Sequence, residues 1–249
     1  MFDELSKVDH RPYALPVSSW VMTQTWEDLL FMHWPLPVDV LRPFIPEQLE
    51  VDTFDGKAWI AVVPFYMNHI QLRGLPEVPG ARSFLELNVR TYVKYRNQSG
   101  VYFFSLDANH LPAVMVARSI FHLPYLTAKM TMKKAESAIQ LASVRSHRGF
   151  SKSALDLSYR PVSESYSASY GSIEHWLTER YCLFTVKKNN VYRGDIHHIK
   201  WSLQVAEADI RKNTLVPFIQ EQPYFNEKPL LHYSKHIRAF IYPMSKVKG

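Results

Sequence analysis

The chain has 249 residues, 47% of them hydrophobic and 14% aromatic, so it can bury a substantial core. The formal net charge of +6 is moderate, and Lys and Arg form no long run, which argues against a nucleic-acid partner. The N-terminal segment MFDELSKVDHRPYALP has no apolar signal core, and no apolar run is long enough to span a bilayer. We therefore expect a cytoplasmic protein with no membrane partner.

The first quarter of the chain predicts an arm followed by a short helix between two strands. Residues 1–19 are polar and contain prolines, which predicts an arm that wraps the domain. Residues 19–36 begin with strand-like alternation, and residues 37–49 predict one short helix or helical turn. Segment 58–67 is strongly apolar and predicts a strand, with Pro64 near its end at an edge or a bulge.

Two long strands joined by a short polar turn are predicted between residues 83 and 109. Apolar and polar residues alternate strictly over residues 85–94, which gives this strand two distinct faces. A turn at Asn97-Gln98 sets Val89 opposite Leu106 and keeps one face almost wholly apolar. The other face then carries Glu86, Asn88, Arg90, Ser105 and Asp107. A solvated face is the alternative, but mixed charges and aromatic neighbours favour a polar cavity lined by a curved sheet.

The rest of the chain predicts two short helices, a second hairpin and several further strands. The first helix starts near Pro112 with Asn109 as its cap, and the second covers residues 172–181. Segment 181–210 predicts the hairpin, with its turn at Asn189-Asn190. The further strands are predicted at residues 127–134, 138–147, 154–162 and 232–244.

These elements predict a β-rich α+β fold of roughly nine to eleven strands, arranged as a single antiparallel sheet system closed or nearly closed on itself, with a few short helices. The chain contains no internal repeat and no linker that marks a domain boundary. We therefore expect residues 1–249 to form one domain, with residues 1–19 as its peripheral arm. The Gly- and Pro-rich loop at residues 73–83 fits either a lid or a crossover.

Four segments of the chain carry a resemblance to a known family. They read HWPLPVDVLRPFIPEQLEVDTFDGKAWIAVVPFYM, FLELNVRTYV, GVYFFSLDA and ARSIFHLPY. Together they resemble the YqjF-like family of bacterial proteins, DUF2071, from about Trp20 to Tyr242. That family is grouped by fold with acetoacetate decarboxylase. The resemblance therefore implies a cone-shaped antiparallel β-barrel that encloses a polar active site, in agreement with the curved sheet predicted from the hairpin.

The resemblance to the decarboxylase also implies site residues. Its catalytic-site glutamate corresponds to Glu86, and its Gly-Arg-Glu triplet to residues 117–119. Its Gly-Phe-Pro-Lys-Lys pattern has Tyr125 and Leu126 in place of the two lysines. A phenol cannot form an imine with a carbonyl compound, and Lys129 could substitute only if the chain shifted there. The comparison therefore implies that the pocket is retained while Schiff-base decarboxylation is lost.

The candidate catalytic residues are Glu86, as an acid or base, and Tyr125, as a phenol that contacts the ligand. Arg90 and Arg118 are the candidate anchors for a substrate carboxylate, because a guanidinium group matches its two oxygens. A structural ion pair between Glu86 and these arginines is the equal alternative. The other candidate substrate-binding residues are Asn88, Ser105, Asp107, His33, Tyr66 and Tyr102. For the histidine and the two tyrosines, ordinary packing inside the core is the alternative.

The pattern of histidines and glycines predicts no metal site and no cofactor. Eleven histidines occur, and the pairs at 197–198 and 232/236 could bring two of them together, but no His-x-x-x-His lies on a convincing helix with an acid between. We expect a polar barrel pocket that binds or transforms a small organic acid or carbonyl compound without Schiff-base chemistry. Such an enzyme would act as a lyase or hydrolase, and a non-catalytic small-molecule binding protein is the alternative. Whether the chain forms a homo-oligomer is left open.

Overall fold

The computed structural model describes residues 2–75, 83–219, 225 and 227–247, without the side chains of Val116 and Ile120. Residues 76–82 of the predicted lid or crossover loop therefore lie outside the described residues. The strands of the described chain are β1 Met22–Leu36, β2 Glu50–Val51, β3 Ala58–Leu72, β4 Phe84–Tyr95, β5 Gln98–Ala108, β6 Tyr125–Lys134, β7 Ile139–Arg145, β8 Ala154–Pro161, β9 Cys182–Lys187, β10 Asn190–His197, β11 Gln204–Asn213, β12 Leu230–Ile241 and β13 Ser245–Lys246. The β-rich prediction is thus confirmed, and the two strands beyond the predicted range, β2 and β13, have only two residues each.

The helices are short and lie between strands: α1 Val38–Leu41, α2 Leu111–Ile120 and α3 Ile173–Thr178. The predicted cap of α2 is wrong by one residue. The imidazole Nδ1 of His110 accepts the hydrogen bond from the Ala113 amide at 3.2 Å. The Asn109 side chain instead accepts a hydrogen bond from the Leu85 amide at 2.8 Å, so it ties the start of α2 to β4. In the described parts of the chain, no helix has the length and apolar character needed to cross a bilayer.

The strands belong to one hydrogen-bonded sheet that closes into a ring. Its order is β13-β10-β9-β5-β6-β7-β8-β11-β12-β1-β3-β4-β2. A further pairing between β4 and β5 closes the part of this series that runs from β5 through β6, β7, β8, β11, β12, β1 and β3 to β4. A pairing between β10 and β12 lets β9 and β10 connect β5 to β12 by a shorter route. The sheet therefore contains two closed circuits of paired strands, and both circuits include β1, β3, β4, β5 and β12.

The prediction of an antiparallel sheet is wrong at two pairings of β5. This strand pairs in parallel with β6 from Leu106 to Ala108, and in parallel with β9 at Val101. A parallel pairing needs a crossover connection between the strands, and α2 with its flanking residues provides the one between β5 and β6. The other strand pairings of the described sheet are antiparallel.

The predicted register of the central hairpin is also wrong. The turn consists of Arg96 and Asn97, which both have positive φ, so Tyr95 pairs with Gln98. A bulge between Val89 and Arg90 then shifts the ladder back by one residue, so that the register over residues 86–89 differs from the predicted one by a single residue. As a result, Asp107 lies opposite Leu87 and Ser105 opposite Val89, on the apolar face of β4. Since side chains alternate with a period of two residues, this shift moves both residues away from Glu86.

A second bulge explains how proline fits into the interior of the sheet. Pro64 lies in the middle of β3 and not near its end, between β1 and β4. The register of β1 against β3 shifts between Glu27 and Met32, and Asp28 within this bulge has a φ of 50°. Because proline has no amide hydrogen, it is tolerated where the bulge already interrupts the ladder. The predicted association of Pro64 with a bulge is therefore confirmed.

The two faces of the shared strands have different surroundings. On one face, buried side chains such as Met32, Val62 and Leu87 join Leu141 and Leu157 of β7 and β8 in the main hydrophobic core. On the other face, a second cluster forms around Phe31, Val63, Phe65 and Trp201. The described cavity lies on this second side, between the shared strands, α2 and the β9–β10 hairpin.

Candidate functional site

A cavity of about 340 Å³ lies beside the polar face of β4. The side chains of Phe84, Glu86, Asn88 and Arg90 line it in the alternating order that the sequence predicts for one face of a strand. Most of the remaining wall is aromatic or aliphatic and comes from β1, β3, β5 and α2. Few polar groups therefore face a mainly apolar space, which is the usual composition of a site for a small organic ligand.

Glu86 is the buried acid of this cavity. Its side chain is 2% exposed, and the hydroxyl group of Tyr125 donates a 3.0 Å hydrogen bond to its Oε2. Burial raises the pKa of Glu86 to about 8, although hydrogen bonds from Tyr125 and Asn88 act in the opposite direction. Burial and the nearby carboxyl group also raise the pKa of Tyr125 well above its ordinary value. Near neutral pH, both groups therefore hold their protons and can share or donate them.

Arg90 supplies a positive charge on the same wall. Its Nη2 reaches the carbonyl oxygen of Leu177 at 3.4 Å, and its guanidinium carbon lies 5.5 Å from the centre of the Phe31 ring. Its Nε is buried and has no hydrogen-bond partner. Among the described residues, no carboxylate forms an ion pair with Arg90. An unpaired guanidinium group in a mainly apolar cavity is a good partner for an anionic ligand.

The C-terminal end of α3 fixes the surroundings of Arg90. The Leu177 carbonyl also accepts a 2.9 Å hydrogen bond from the hydroxyl group of Tyr92, which lies 2.7 Å from Nε2 of His33. Burial, followed by the charge of Arg90, lowers the pKa of His33 well below its ordinary value, so this imidazole is neutral. These contacts hold the part of β4 around Tyr92 against α3, and both contacting groups, the phenol of Tyr92 and the imidazole of His33, are uncharged.

The structure brings four of the ten predicted site residues to the cavity wall: Glu86, Asn88, Arg90 and Tyr125. Ser105 and Asp107 are not among the lining residues because of the register shift. Instead, Arg145 of β7 binds both, with Nε 3.0 Å from an Asp107 oxygen and Nη2 2.9 Å from the Ser105 hydroxyl. Asp107 and Arg145 therefore form a buried ion pair outside the cavity, and Ser105 accepts a hydrogen bond from the same arginine.

The four other predicted residues also lie outside the lining. Arg118 is exposed and donates a 2.6 Å hydrogen bond to the Tyr125 carbonyl, so it holds the backbone that carries the phenol. His33 is fully buried behind Tyr92. Tyr66 and Tyr102 pack against the main hydrophobic core, on the face of the sheet opposite the cavity. This agrees with the alternative expectation that both tyrosines have a packing role.

Several cavity residues lack a motif that sequence reasoning could have detected. Arg180 and His198 line the cavity from the segments that follow α3 and β10. The Nδ1 of His198 lies 2.7 Å from the Ile199 carbonyl oxygen, and burial lowers the pKa of this histidine to about 3. In the sequence, His198 is distinguished only by its position in the pair His197-His198, and such a pair points to metal binding and not to a cavity wall. In the described residues, no group of three or more potential metal ligands is close enough to hold an ion.

No lysine is present among the described residues that line the cavity. Lys129, the only lysine that the sequence comparison offered as a substitute, is exposed on β6. Cys182 lines the cavity wall but is buried, and burial raises the pKa of its thiol to about 11. Neither of the usual amine or thiolate nucleophiles is therefore presented by the described wall.

Solved structures with the same fold define the class of protein. An acetoacetate decarboxylase-like enzyme from Sphingomonas wittichii RW1 matches with a TM-score of 0.62 and 11% identity, covering 96% of this chain and 98% of that one. The enduracididine biosynthesis enzyme MppR, complexed with pyruvate, matches with a TM-score of 0.61 and 9% identity, covering 95% and 93%. Acetoacetate decarboxylase from Legionella pneumophila matches with a TM-score of 0.57 and 10% identity, covering 98% and 94%. The fold is thus acetoacetate decarboxylase-like, and at these identities the likeness concerns the fold alone.

The sequence comparisons give the family. The model of DUF2071, described as an uncharacterized conserved protein, matches residues 23–238. The uncharacterized protein YqjF of Bacillus subtilis (strain 168) is 45% identical over 233 residues, which cover 94% of this chain and 95% of that protein. The chain therefore belongs to the DUF2071 family, as the four sequence segments predicted.

Proposed function

We propose that the cavity binds a small organic acid or carbonyl compound, and that Glu86 and Tyr125 exchange protons with its carbonyl or hydroxyl group. The observation that carries this proposal is the hydrogen-bonded pair of Glu86 and Tyr125, buried in an apolar cavity that Arg90 also lines. Such a pair can donate a proton to a carbonyl oxygen and take one from an adjacent group. Arg90 supplies the charge that attracts the carboxylate of the ligand.

The proposed reaction does not pass through a covalent imine. An imine needs an amine nucleophile, and the resemblance to the decarboxylases implies that Tyr125 replaces their lysine. The described wall contains no lysine that could replace it. A lyase- or hydrolase-type proton transfer fits these groups. Pyruvate is the ligand named for the MppR structure, and acetoacetate occurs in the name of the decarboxylases; both serve here only as the first compounds to test.

The proposal also retains three expectations from the sequence. It treats the chain as one domain, because strands from both ends of the chain, β1 and β12, pair along most of their length. It treats the sheet ring as the barrel-like wall of the pocket. It assumes a cytoplasmic protein, and it leaves the oligomeric state open.

Ligand screening with matched variants tests the proposal. Small oxo acids are added to the wild-type chain, and binding is measured by calorimetry and turnover by NMR. Arg90→Met is expected to weaken binding of the carboxylates by about tenfold or more, whereas the exposed control Arg160→Ala leaves it unchanged. Failure of every oxo acid to bind, or equal binding by Arg90→Met, would overturn the proposal.

Turnover separates the enzyme from its alternative, a non-catalytic binding protein. If Glu86 transfers a proton, Glu86→Gln should reduce turnover by about 100-fold or more while ligand binding persists. Ligand binding with no turnover by the wild-type chain would favour the binding protein. Borohydride treatment in the presence of acetoacetate is expected to leave the chain unmodified, and a covalent adduct on any lysine would contradict the absence of imine chemistry.

A further inference from the structure

We propose that Arg90 and Arg180 together form an anion subsite at the α3 end of the cavity, separate from the Glu86–Tyr125 pair. The ligand would then be an acid with two functional ends: a carboxylate at the arginines and a carbonyl group at Glu86, joined by an apolar spacer. This inference rests on the proposed function and specifies its substrate class.

Arg180 is a buried cation held in a fixed position. It is 6% exposed, its Nε donates a 2.7 Å hydrogen bond to the Trp176 carbonyl, and its Nη1 lies 2.6 Å from an oxygen of Asp52. Its guanidinium carbon lies 4.3 Å from the centre of the Trp176 ring. The remaining nitrogen, Nη2, is buried without a hydrogen-bond partner. Arg180 therefore lines the cavity with donor capacity that the described protein leaves unused.

The charges around this end of the cavity do not balance. The carboxylate of Asp52 is shared between Arg180 and Lys94, whose Nζ lies 3.0 Å from the second oxygen. Arg90 has no ion pair among the described residues. Asp195, which also lines the cavity, is already bound by Arg193. Lys94 is 41% exposed, so its charge is largely solvated, whereas the buried Arg180 has one ion-pair partner and Arg90 has none. A buried guanidinium group without a carboxylate partner favours a bound anion.

Both guanidinium groups lie near the same aromatic ring. Their carbon atoms lie 5.8 Å (Arg90) and 5.0 Å (Arg180) from the centre of the same Tyr92 ring. Arg90 also donates to the Leu177 carbonyl, three residues before Arg180 in the chain. The end of α3 therefore holds both groups near Tyr92, where the carboxylate of the proposed ligand would accept hydrogen bonds from both.

The polar pair and the arginines occupy different ends of one strand. Glu86 and Arg90 are four residues apart on the same face of β4, so their Cα atoms are separated by about 13 Å. Asn88 lies between them, and its Oδ1 is buried without a partner. The nearby wall is aromatic and includes Phe31 and Trp201, which pack edge to face with ring centres 5.1 Å apart. A ligand that reaches both ends therefore needs several carbons between its carboxylate and its carbonyl group, more than acetoacetate has.

The test uses keto acids in which a growing number of methylenes separates the carboxylate from the ketone, beginning with acetoacetate. Affinities are measured by calorimetry at constant ionic strength. We expect affinity to rise by at least about tenfold from acetoacetate to an intermediate length and then to fall. Arg180→Met should weaken binding of the best acid by about tenfold or more. It should leave binding of the corresponding methyl ester unchanged, which also shows that the variant is folded.

The outcomes separate this inference from the proposed function. If acids bind through Arg90 but affinity does not depend on chain length, and Arg180→Met binds them normally, the two-ended ligand is wrong and the proposed function survives. If no keto acid of any length binds, both are wrong. Should Arg180→Met fail to fold, Arg180→Lys serves instead, because it keeps the charge but cannot donate from two nitrogens. Unchanged affinity for the best acid in that variant would also overturn the subsite.

Discussion

At the residue scale, the environment of Glu86 decides its chemistry. The carboxyl group is 2% exposed, its described neighbours include no cation in ion-pair contact, and Tyr125 and Asn88 provide its polar contacts. Hydrogen bonding favours the charged form, but burial has the larger effect and favours the neutral form. The equal alternative of an ion pair between Glu86 and the arginines therefore finds no support in the described contacts.

This balance predicts how stability depends on pH. The pKa of Glu86 rises from 4.5 to about 8 on folding, so between these values the native state binds more protons than the unfolded chain. Stability should therefore fall as the pH rises from about 5 to 8, by at most about 5 kcal/mol from this group. Glu86→Gln should remove that slope, because the amide does not ionise.

The measurement is urea unfolding of both proteins at several pH values. Glu207→Gln is the control, since the Glu207 side chain is 63% exposed. Profiles for wild type and Glu86→Gln that run parallel between pH 5 and 8 would contradict the raised pKa.

At the element scale, β5 is where three parts of the sheet meet. It pairs with β4, β6 and β9, and its two faces serve different purposes. Leu106 faces the cavity, whereas Ser105 and Asp107 bind Arg145 on the other side. The same strand therefore carries part of the pocket wall and the buried ion pair that attaches β7 to it.

Asp107→Asn should destabilise the protein without affecting the cavity. The Asp107 carboxylate is fully buried against Arg145, which is itself 7% exposed. Removing one partner leaves a buried uncompensated charge, at a cost of about 3 kcal/mol. Asp209→Asn, in an exposed pair with Arg211, should change stability by less than about 0.5 kcal/mol. Urea unfolding measures both effects. If folded Asp107→Asn protein no longer bound the ligand, Asp107 would have to be counted as a residue of the binding site.

Gly100 is required where β5 meets β9. A Cβ atom at this position would lie 2.8 Å from the Cys182 sulfur and 2.9 Å from the Cys182 carbonyl oxygen. Backbone atoms cannot move aside easily, so Gly100→Ala should cost about 2 kcal/mol or more. Gly194→Ala is the matched control, because its new Cβ would meet only the side chains of Met244 and Leu183. Thermal unfolding that showed equal losses for the two variants would contradict this explanation.

At the scale of the whole molecule, the two ends of the chain close the structure. Strand β1 pairs with β12, and the N-terminal arm crosses the β10 end of the sheet. In this arm, Phe2 packs edge to face on Phe240, and Arg11 donates a 2.9 Å hydrogen bond to the Ile196 carbonyl. The predicted arm therefore contacts strands that also line the cavity.

Arg11→Ala should loosen this attachment. Arg11 is 8% exposed and its guanidinium carbon lies 4.6 Å from the centre of the Tyr181 ring, so the substitution removes a hydrogen bond and a cation–π contact. We expect a loss of about 2 kcal/mol. Thermal unfolding of this variant and of Arg148→Ala, an exposed arginine, measures the difference. Equal melting temperatures for Arg11→Ala and wild type would show that the arm does not stabilise the fold.

The sequence by itself determined the elements that depend on neighbouring residues. Alternation along residues 85–94 identified β4 and placed Glu86, Asn88 and Arg90 on one face, since this periodicity needs no knowledge of a partner strand. The four family segments identified the family and, through it, the acetoacetate decarboxylase-like fold.

The tertiary structure alone decided which residues of distant segments share the site. One turn and one bulge set the register of β5 and moved Ser105 and Asp107 to the other face. The tertiary fold brought Arg180 to the same Tyr92 ring as Arg90, although no local pattern links them. The physical reason is that the register and the long-range contacts are those that give the whole sheet its lowest free energy. The pattern along one strand indicates only which of its two faces is buried.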